Sequence, residues 1–245
     1  MYDVVYLGSG HSVWHGAITL AAVGNRIAIV DGDLPGGTCT NYGCDAKIIL
    51  DGPFEFAEGL ERYQGLCVEG NGKIDWCKLM EYKRHVLAPF PQMLPVMFQG
   101  AGIDFVPEFG TILDAHTVKA GEQTLEAECI VIGTGQRDSV LDIPGKEYLH
   151  NSREFLDIEE MPDHLVCIGA GIISMEFASM ALMLGKKVTF VEFASRVLAA
   201  YPKAYVAKLV DKMQAQGAIF HFARLPPRSR RSMPAIGSPA HRVLP

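Results

Sequence analysis

Asp3-Val4-Val5-Tyr6-Leu7-Gly8-Ser9-Gly10-His11-Ser12-Val13 begins as an apolar, β-rich run, turns on two glycines and enters a helix-like stretch that lasts to Val23. Gly24 ends that stretch, and Ile27 to Val30 supplies a second apolar strand closing on Asp31. Strand, glycine turn, helix and strand make a βαβ unit with a dinucleotide-binding pattern. Gly8 makes the tight turn. Gly10 lets backbone approach a pyrophosphate at the helix N-terminus, where unpaired N–H groups and the helix dipole favour an anion. Asp31 falls where an acidic side chain takes the ribose hydroxyls. Val13 stands in place of the usual third glycine, so helix and strand are expected to pack slightly further apart.

The unit occurs twice. With the numbering shifted by 161, residues 8–31 lie without a gap on residues 169–192. Gly8 meets Gly169, Gly10 meets Gly171, Ala17 meets Ala178, Gly24 meets Gly185 and Asp31 meets Glu192. Both copies follow a short apolar strand, Val4 to Leu7 and Leu165 to Ile168, and Ser174 replaces the third glycine of the second copy. A duplication this complete points to two nucleotide sites rather than to two βαβ units that bind nothing. Glu192 would hydrogen-bond a free 2′-hydroxyl and repel a 2′-phosphate, favouring NADH over NADPH, whereas Arg196 nearby pulls the other way.

With 245 residues, 49% of them apolar, the chain can bury a sizeable core in more than one domain. A net charge of −6 argues against nucleic acid or an anionic membrane as partner. Met1-Tyr2-Asp3-Val4-Val5 has no basic stretch and reads directly as a strand, so no signal peptide and a cytoplasmic location are expected. Leu165 to Leu184 approaches membrane-span length, but Glu176, two early glycines and a strand-like front end argue against a membrane helix. His11 and His15 have a metal-compatible spacing without an evident third ligand and read as surface or interface histidines. Six cysteines, Cys39, Cys44, Cys67, Cys77, Cys129 and Cys167, do not resemble a secreted disulfide framework.

One cysteine pair has a spacing with a mechanism. Gly36-Gly37-Thr38-Cys39-Thr40-Asn41-Tyr42-Gly43-Cys44-Asp45-Ala46-Lys47 places Cys39 and Cys44 five steps apart, about 140° around a regular helix, so they cannot share one face of it. With Cys39 in a glycine-loosened approach and Cys44 in a first helical turn, the Cα atoms could reach the roughly 4.4 to 6.8 Å that a disulfide requires. The helix N-terminus would then favour a Cys44 thiolate. Two buried, reduced cysteines satisfy the bare spacing as readily. The neighbourhood carries more: Gly-Gly-Thr-Cys-x-Asn-x-Gly-Cys resembles, at every fixed position, the redox-active disulfide segment of the class I, flavin-dependent pyridine nucleotide-disulfide oxidoreductases. That family includes glutathione reductase, dihydrolipoamide dehydrogenase and mercuric reductase.

The resemblance implies an α/β fold of two Rossmann-like FAD/NAD(P)-binding domains of three-layer ββα type, the second incomplete here. Gly8, Gly10 and Asp31 would hold FAD; Gly169, Gly171 and Glu192 would hold NADH, or less readily NADPH. Electrons would pass from NADH through FAD to Cys39 and Cys44 and on to a small-molecule or disulfide acceptor. By resemblance Cys44 is the thiol nearer the flavin and Cys39 the one that exchanges with substrate, with Gly37 and Thr38 also at the cofactor. Lys47, one turn after Cys44, would lie near the flavin ring, paired with Glu176. Gly110 would approach the adenine. Gly133-Thr134-Gly135 resembles the family's Ala-Thr-Gly segment, with Thr134 and Gly135 near the cofactor and Gly133 in place of alanine. Ile172 stands where some relatives carry a gating tyrosine.

The expected domains are residues 1–150, binding FAD and containing a β-meander, and residues 151–223, a partial NAD(P)-binding domain. Residues 103–126 read as the short strands of that meander, Cys129 to Ile132 as a separate strand, and residues 146–164 as the crossing between domains. Ile48 onwards reads as a helix broken at Gly52-Pro53, and Asp75 to Met93 as one interrupted near Pro89 and Pro91, with Lys78, Glu81, Lys83 and Arg84 on a solvated face. Residues 224–245, rich in Pro, Arg and Ser, read as a disordered tail and suggest a frame-shifted or truncated product. The family is homodimeric, and nothing in these residues corresponds to its dimerisation domain. The alternative is a non-catalytic fragment that binds nucleotide.

Overall fold

The computed structural model describes residues 1–70 and 72–222, so the tail expected to be disordered lies outside the described residues. The chain divides into two compact units, the first ending at Met161 and the second beginning at Pro162.

In the first unit, β1 (Tyr2–Leu7), α1 (His11–Ala22) and β2 (Ile27–Val30) form the βαβ unit. They are followed by α2 (Gly37–Tyr42), α3 (Cys44–Glu61), α4 (Trp76–Leu87) and α5 (Phe90–Gly100). The strands β3 (Ile103–Val106), β4 (Gly110–Asp114), β5 (Thr117–Ala120) and β6 (Gln123–Ile132) come next, and α6 (Ser152–Phe155) closes the unit. The sheet order is β3-β2-β1-β6-β5-β4. From β3 to β6 the pairing is parallel, and from β6 to β4 it is antiparallel.

Two strand assignments differ from the sequence reading. Ile103–Val106 does not belong to the meander; it pairs in parallel with β2 at the sheet edge. Gln123–Glu126 and Cys129–Ile132 are one strand, because β6 serves two neighbours in turn. Its first half pairs with β5 and its second half with β1, from Tyr2↔Ala127 to Leu7↔Ile132.

Alternation along the strands builds two cores. Val5, Leu7, Ala28 and Val30 point to one face and meet Val118, Ala120 and Leu125 of the meander. Tyr6, Ile27, Ile29 and Ile103 point to the other and meet Val13 and Ala17 of α1 and Leu94 and Phe98 of α5. Meander, parallel sheet and helices are the three layers.

The helices also correct three expectations. Pro53 does not break α3, because Ala46, Leu50, Phe54 and Ala57 bury one continuous stripe whose packing outweighs the lost backbone hydrogen bond. The helix is interrupted at Pro89 as expected, but Pro91 lies in the first turn of α5, which runs on to Gly100 rather than ending at Met93. Lys83 is not on a solvated face: it is 6% exposed, and its Nζ donates to Leu156 O at 2.7 Å and pairs with Asp157 at 3.3 Å. Burial lowers the Lys83 pKa, and Asp157 opposes that shift. Together with Trp76 Nε1, which donates to Ile158 O at 3.3 Å, Lys83 and Arg84 fasten residues 156–158 to α4. Residues 151–161 therefore belong to the first unit, later than the expected boundary at 150.

The second unit repeats the pattern with β7 (His164–Ile168), α7 (Ile172–Met183), β8 (Lys187–Glu192), α8 (Lys203–Ala215) and β9 (Ile219–Phe222), in a parallel sheet of order β7-β8-β9. Phe190 is fully buried and stacks on Phe220 at 4.5 Å. The apolar stretch 165–184 is thus a strand, a glycine turn and a helix. Among the described residues no helix is long and apolar enough to cross a membrane.

Candidate redox site

The first glycine turn is built from within. Gly8 has φ +99°, and a Cβ there would lie 2.2 Å from the Gly133 carbonyl oxygen, so only glycine fits. Ser9 is fully buried and donates to Asp31 Oδ2 from its backbone N at 2.7 Å and its hydroxyl at 2.6 Å. Asp33 N–H donates to Asp31 Oδ1 at 3.0 Å. Asp31, singled out for ribose, therefore also staples the turn to the loop after β2. Ser9 was missed as a site residue; its one signal in the sequence is a hydroxyl set between two turn glycines.

The second unit repeats these bonds at the same offset. Gly8 N–H donates to Val30 O at 2.8 Å, and Gly169 N–H donates to Val191 O at 2.8 Å. Glu192, 7% exposed, accepts from Ala170 N–H at 2.7 Å and Ala194 N–H at 2.8 Å, where Asp31 accepts from Ser9 and Asp33. Gly169 and Gly171 face open space, with nothing within 4 Å of where a Cβ would stand, so backbone there is accessible to a ligand. The Glu192→Ala variant would strand two N–H donors bound to a charged acceptor, each such bond worth ~1.5 to 3 kcal/mol. Hydrogen exchange of the amides in residues 164–222 is expected to quicken by at least tenfold, with those of the first unit unchanged and Glu192→Gln milder.

The cysteine segment packs directly on the first turn. Gly36 and Gly37 have φ +99° and +63°, and a Cβ on Gly37 would stand 2.7 Å from Gly10 Cα. Gly36 N–H donates to Ser9 Oγ at 3.0 Å, and Asn41 Nδ2 donates to the carbonyl oxygens of Pro35 at 2.9 Å and Gly37 at 3.0 Å. Cys39 lies within α2 rather than in an irregular approach, and Cys44 is the first residue of α3. Gly43 between them leaves room for the fold-back: a Cβ there would come within 2.9 Å of Thr38 O. Thr38 is exposed at the start of α2.

Cys39 and Cys44 are both free thiols, adjacent and hydrogen-bonded. Burial pushes the Cys39 thiol up to about 11; its hydrogen bond to Cys44 and the neighbouring Cys44 and Asp45 charges add to the rise, and the Cys44 backbone N–H opposes it. Cys44 is exposed. A dithiol held this way needs the loss of two protons and two electrons to close.

The remaining expected site residues are dispersed over the two units. Lys47 follows Cys44 by one turn, its N–H donating to Gly43 O at 2.9 Å, while Glu176 lies on α7 of the second unit. Thr134 and Gly135 are exposed in the loop after β6, Gly135 with φ +75°. Gly110 faces inward: a Cβ there would meet Leu7 Cδ2 at 2.4 Å, so its missing side chain makes room for the core. His11 is not a free surface histidine; its Nε2 shares a 3.1 Å hydrogen bond with Thr40 Oγ1. His15 is exposed and stacks on Trp14 at 3.6 Å. Among the described residues no three His, Cys, Asp or Glu side chains converge to hold a metal ion.

The family model for pyridine nucleotide-disulphide oxidoreductases matches residues 2–229. The dihydrolipoyl dehydrogenase of Acholeplasma laidlawii is 29% identical over 205 residues, 80% of this chain and 61% of that protein. A glutathione reductase of Nostoc sp. is 27% identical over 217 residues, 88% of this chain and 47% of that protein. The HOCl-induced flavoprotein disulfide reductase RclA from Escherichia coli superposes with a TM-score of 0.76 at 25% identity, over 90% of this chain and 49% of that one. The chain spans about half to three fifths of the length of these relatives. With the duplicated turns, the paired thiols and a family match over nearly its whole length, the chain belongs to the pyridine nucleotide-disulphide oxidoreductase family.

Proposed function

We propose that this chain forms the flavin- and nicotinamide-binding portion of an oxidoreductase that moves electrons from NADH, through FAD, to the Cys39–Cys44 pair and on to a disulfide-type acceptor. One observation carries the reading: the hydrogen-bonded dithiol is packed, through Gly37 on Gly10, against the first nucleotide turn. A dinucleotide whose phosphates sit at the α1 N-terminus is thereby brought to the cysteine segment. FAD, when bound, supplies the step between two-electron hydride chemistry and the thiol pair. Gly8, Gly10 and Asp31 would hold it in the first unit, with Gly37, Thr38, Lys47, Gly110, Thr134 and Gly135 along its length. Gly169, Gly171, Glu176 and Glu192 would serve the nicotinamide nucleotide and its approach to the flavin.

The residues fit such a ligand. Gly169 and Gly171 leave open space where side chains would stand, and Ser9 and Asp31 hold the first turn in shape. NADH is favoured over NADPH, because Glu192 ends β8 as a carboxylate and Arg196 spends its guanidinium on the carbonyl oxygens of Ala199 and Tyr201 in its own loop. The chain's own part is to position the nucleotides and to hold Cys39 protonated beside Cys44 until the pair is oxidised.

A second reading, a non-catalytic nucleotide-binding fragment, draws on the apolar edges of the second unit, where Val166 on β7 and Ile219 on β9 are each 52% exposed. Purified chain reconstituted with FAD separates the two. A retained flavin spectrum, with a long-wavelength charge-transfer band on anaerobic NADH addition, is the outcome for the enzyme reading. A colourless, aggregating preparation would select the fragment.

A further inference from the structure

The helix that carries Cys39 cannot hold itself in place. α2 has six residues and no side-chain cap, and an isolated helix of that length is unstable in water. Cys44, by contrast, opens the 18-residue α3, anchored by its buried stripe. The distance between the two sulfurs is therefore set by what grips α2. Gly36 is tied to Ser9 and Gly37 packs on Gly10, both partners belonging to the first turn, Asn41 turns back on the loop, and Arg153 lies over the ring of Tyr42, so the two ends of the helix are held. The grip on its middle comes from elsewhere. His11, the first residue of α1 and the next after Gly10, shares a hydrogen bond with Thr40, which is 3% exposed and adjacent to Cys39.

We infer that His11 is a positioning residue for the redox pair: through Thr40 it holds the Cys39 helix against the first nucleotide turn, at the approach to Cys44 that disulfide formation requires. The inference rests on the proposed cycling of Cys39 and Cys44 between dithiol and disulfide. Closing the bond demands a narrow range of Cα separation. Removing the imidazole leaves a buried hydroxyl without that partner and loosens the middle of α2 between its held ends. The effective concentration of one thiol at the other then falls, and so does the stability of the disulfide.

Equilibration of the purified full chain in graded ratios of reduced and oxidised dithiothreitol tests this, with thiol trapping and peptide mapping to read the fraction oxidised. As the Sγ–Sγ bond forms, two thiol protons and two electrons pass to oxidised dithiothreitol, which becomes the dithiol. His11→Ala and Thr40→Val are each expected to lower the oxidation constant about fivefold, the scale of one buried hydrogen bond. The double variant should fall no further than either alone, and Thr40→Ser should stay near wild type. If circular dichroism shows His11→Ala unfolded, the Thr40→Val and Thr40→Ser pair carries the comparison. A disulfide that forms normally in both His11→Ala and Thr40→Val, or effects that multiply in the double variant, would overturn the inference alone. A wild-type chain in which Cys39 and Cys44 never join at any ratio would overturn the proposed function as well.

Discussion

Gly133→Ala is expected to destabilise the first unit by about 3 kcal/mol, the upper end of the range for overpacking a close-packed core. Gly133 directly follows β6, and a Cβ there would stand 2.2 Å from Val13 Cγ2 and 3.3 Å from the Leu7 carbonyl oxygen. Val13 cannot yield, since it is fully buried among Tyr6, Ala17 and Ile27. Nor can Gly133 back away, because its N–H donates to Leu7 O at 2.8 Å and its own carbonyl oxygen fills the space beside Gly8. The entropy that alanine removes from the unfolded chain, about 0.4 to 1 kcal/mol, offsets only part of this. Val13→Ala alone should cost about 2 kcal/mol in lost burial and cavity. The double variant should cost far less than the sum, with about 2 kcal/mol of coupling, because removing the γ-methyls makes room for the new Cβ. Urea unfolding followed by the fluorescence of Trp14 and Trp76, both in the first unit, reads all three. Strict additivity would mean that the two positions do not interlock.

That pair shows what could be read from the sequence and what could not. Val13 and Gly133 each depart visibly from the family pattern, and Val13 alone suggested a wider spacing between helix and strand. The structure sets Gly133 against Val13, whose methyl stands where an alanine Cβ would lie, and the link depends on the parallel register that sets Leu7 beside Ile132, which no local pattern encodes. The duplicated turn was legible because it is local: a strand, two glycines and a terminal acid are fixed by short-range geometry, and the same bonds recur at Asp31 and Glu192. Lys83 was not legible, since its acceptors lie at Leu156 and Asp157, far along the chain, and a lysine on an amphipathic helix ordinarily faces water. His11 failed for the same reason, its partner Thr40 belonging to another helix. Pro53 misled because local propensity is outweighed by a long buried stripe.

In the reduced chain at pH 8, iodoacetamide is expected to modify Cys44 at least ten times faster than Cys39. Alkylation proceeds through the thiolate. Cys39 is part-buried and gives its proton to a hydrogen bond with Cys44, and with its pKa pushed up to about 11 only about one molecule in a thousand is ionised there at pH 8. Cys44 is exposed at the first position of α3 and open to the reagent. The raised pKa fixes the direction of the pH dependence. As pH rises from 8 to 10, the Cys39 rate should climb about tenfold per unit and not yet level, because half-ionisation comes only near 11. Both cysteines fall on one tryptic peptide, residues 27–47, so fragmentation assigns each label. Comparable rates at pH 8 would mean that Cys39 is not held protonated. Added FAD tests the proposed roles in the same assay: with Cys44 as the thiol nearer the flavin, its labelling should slow while that of Cys39 does not. Protection of Cys39 in its place would reverse the two assignments and make Cys44 the thiol that meets the acceptor.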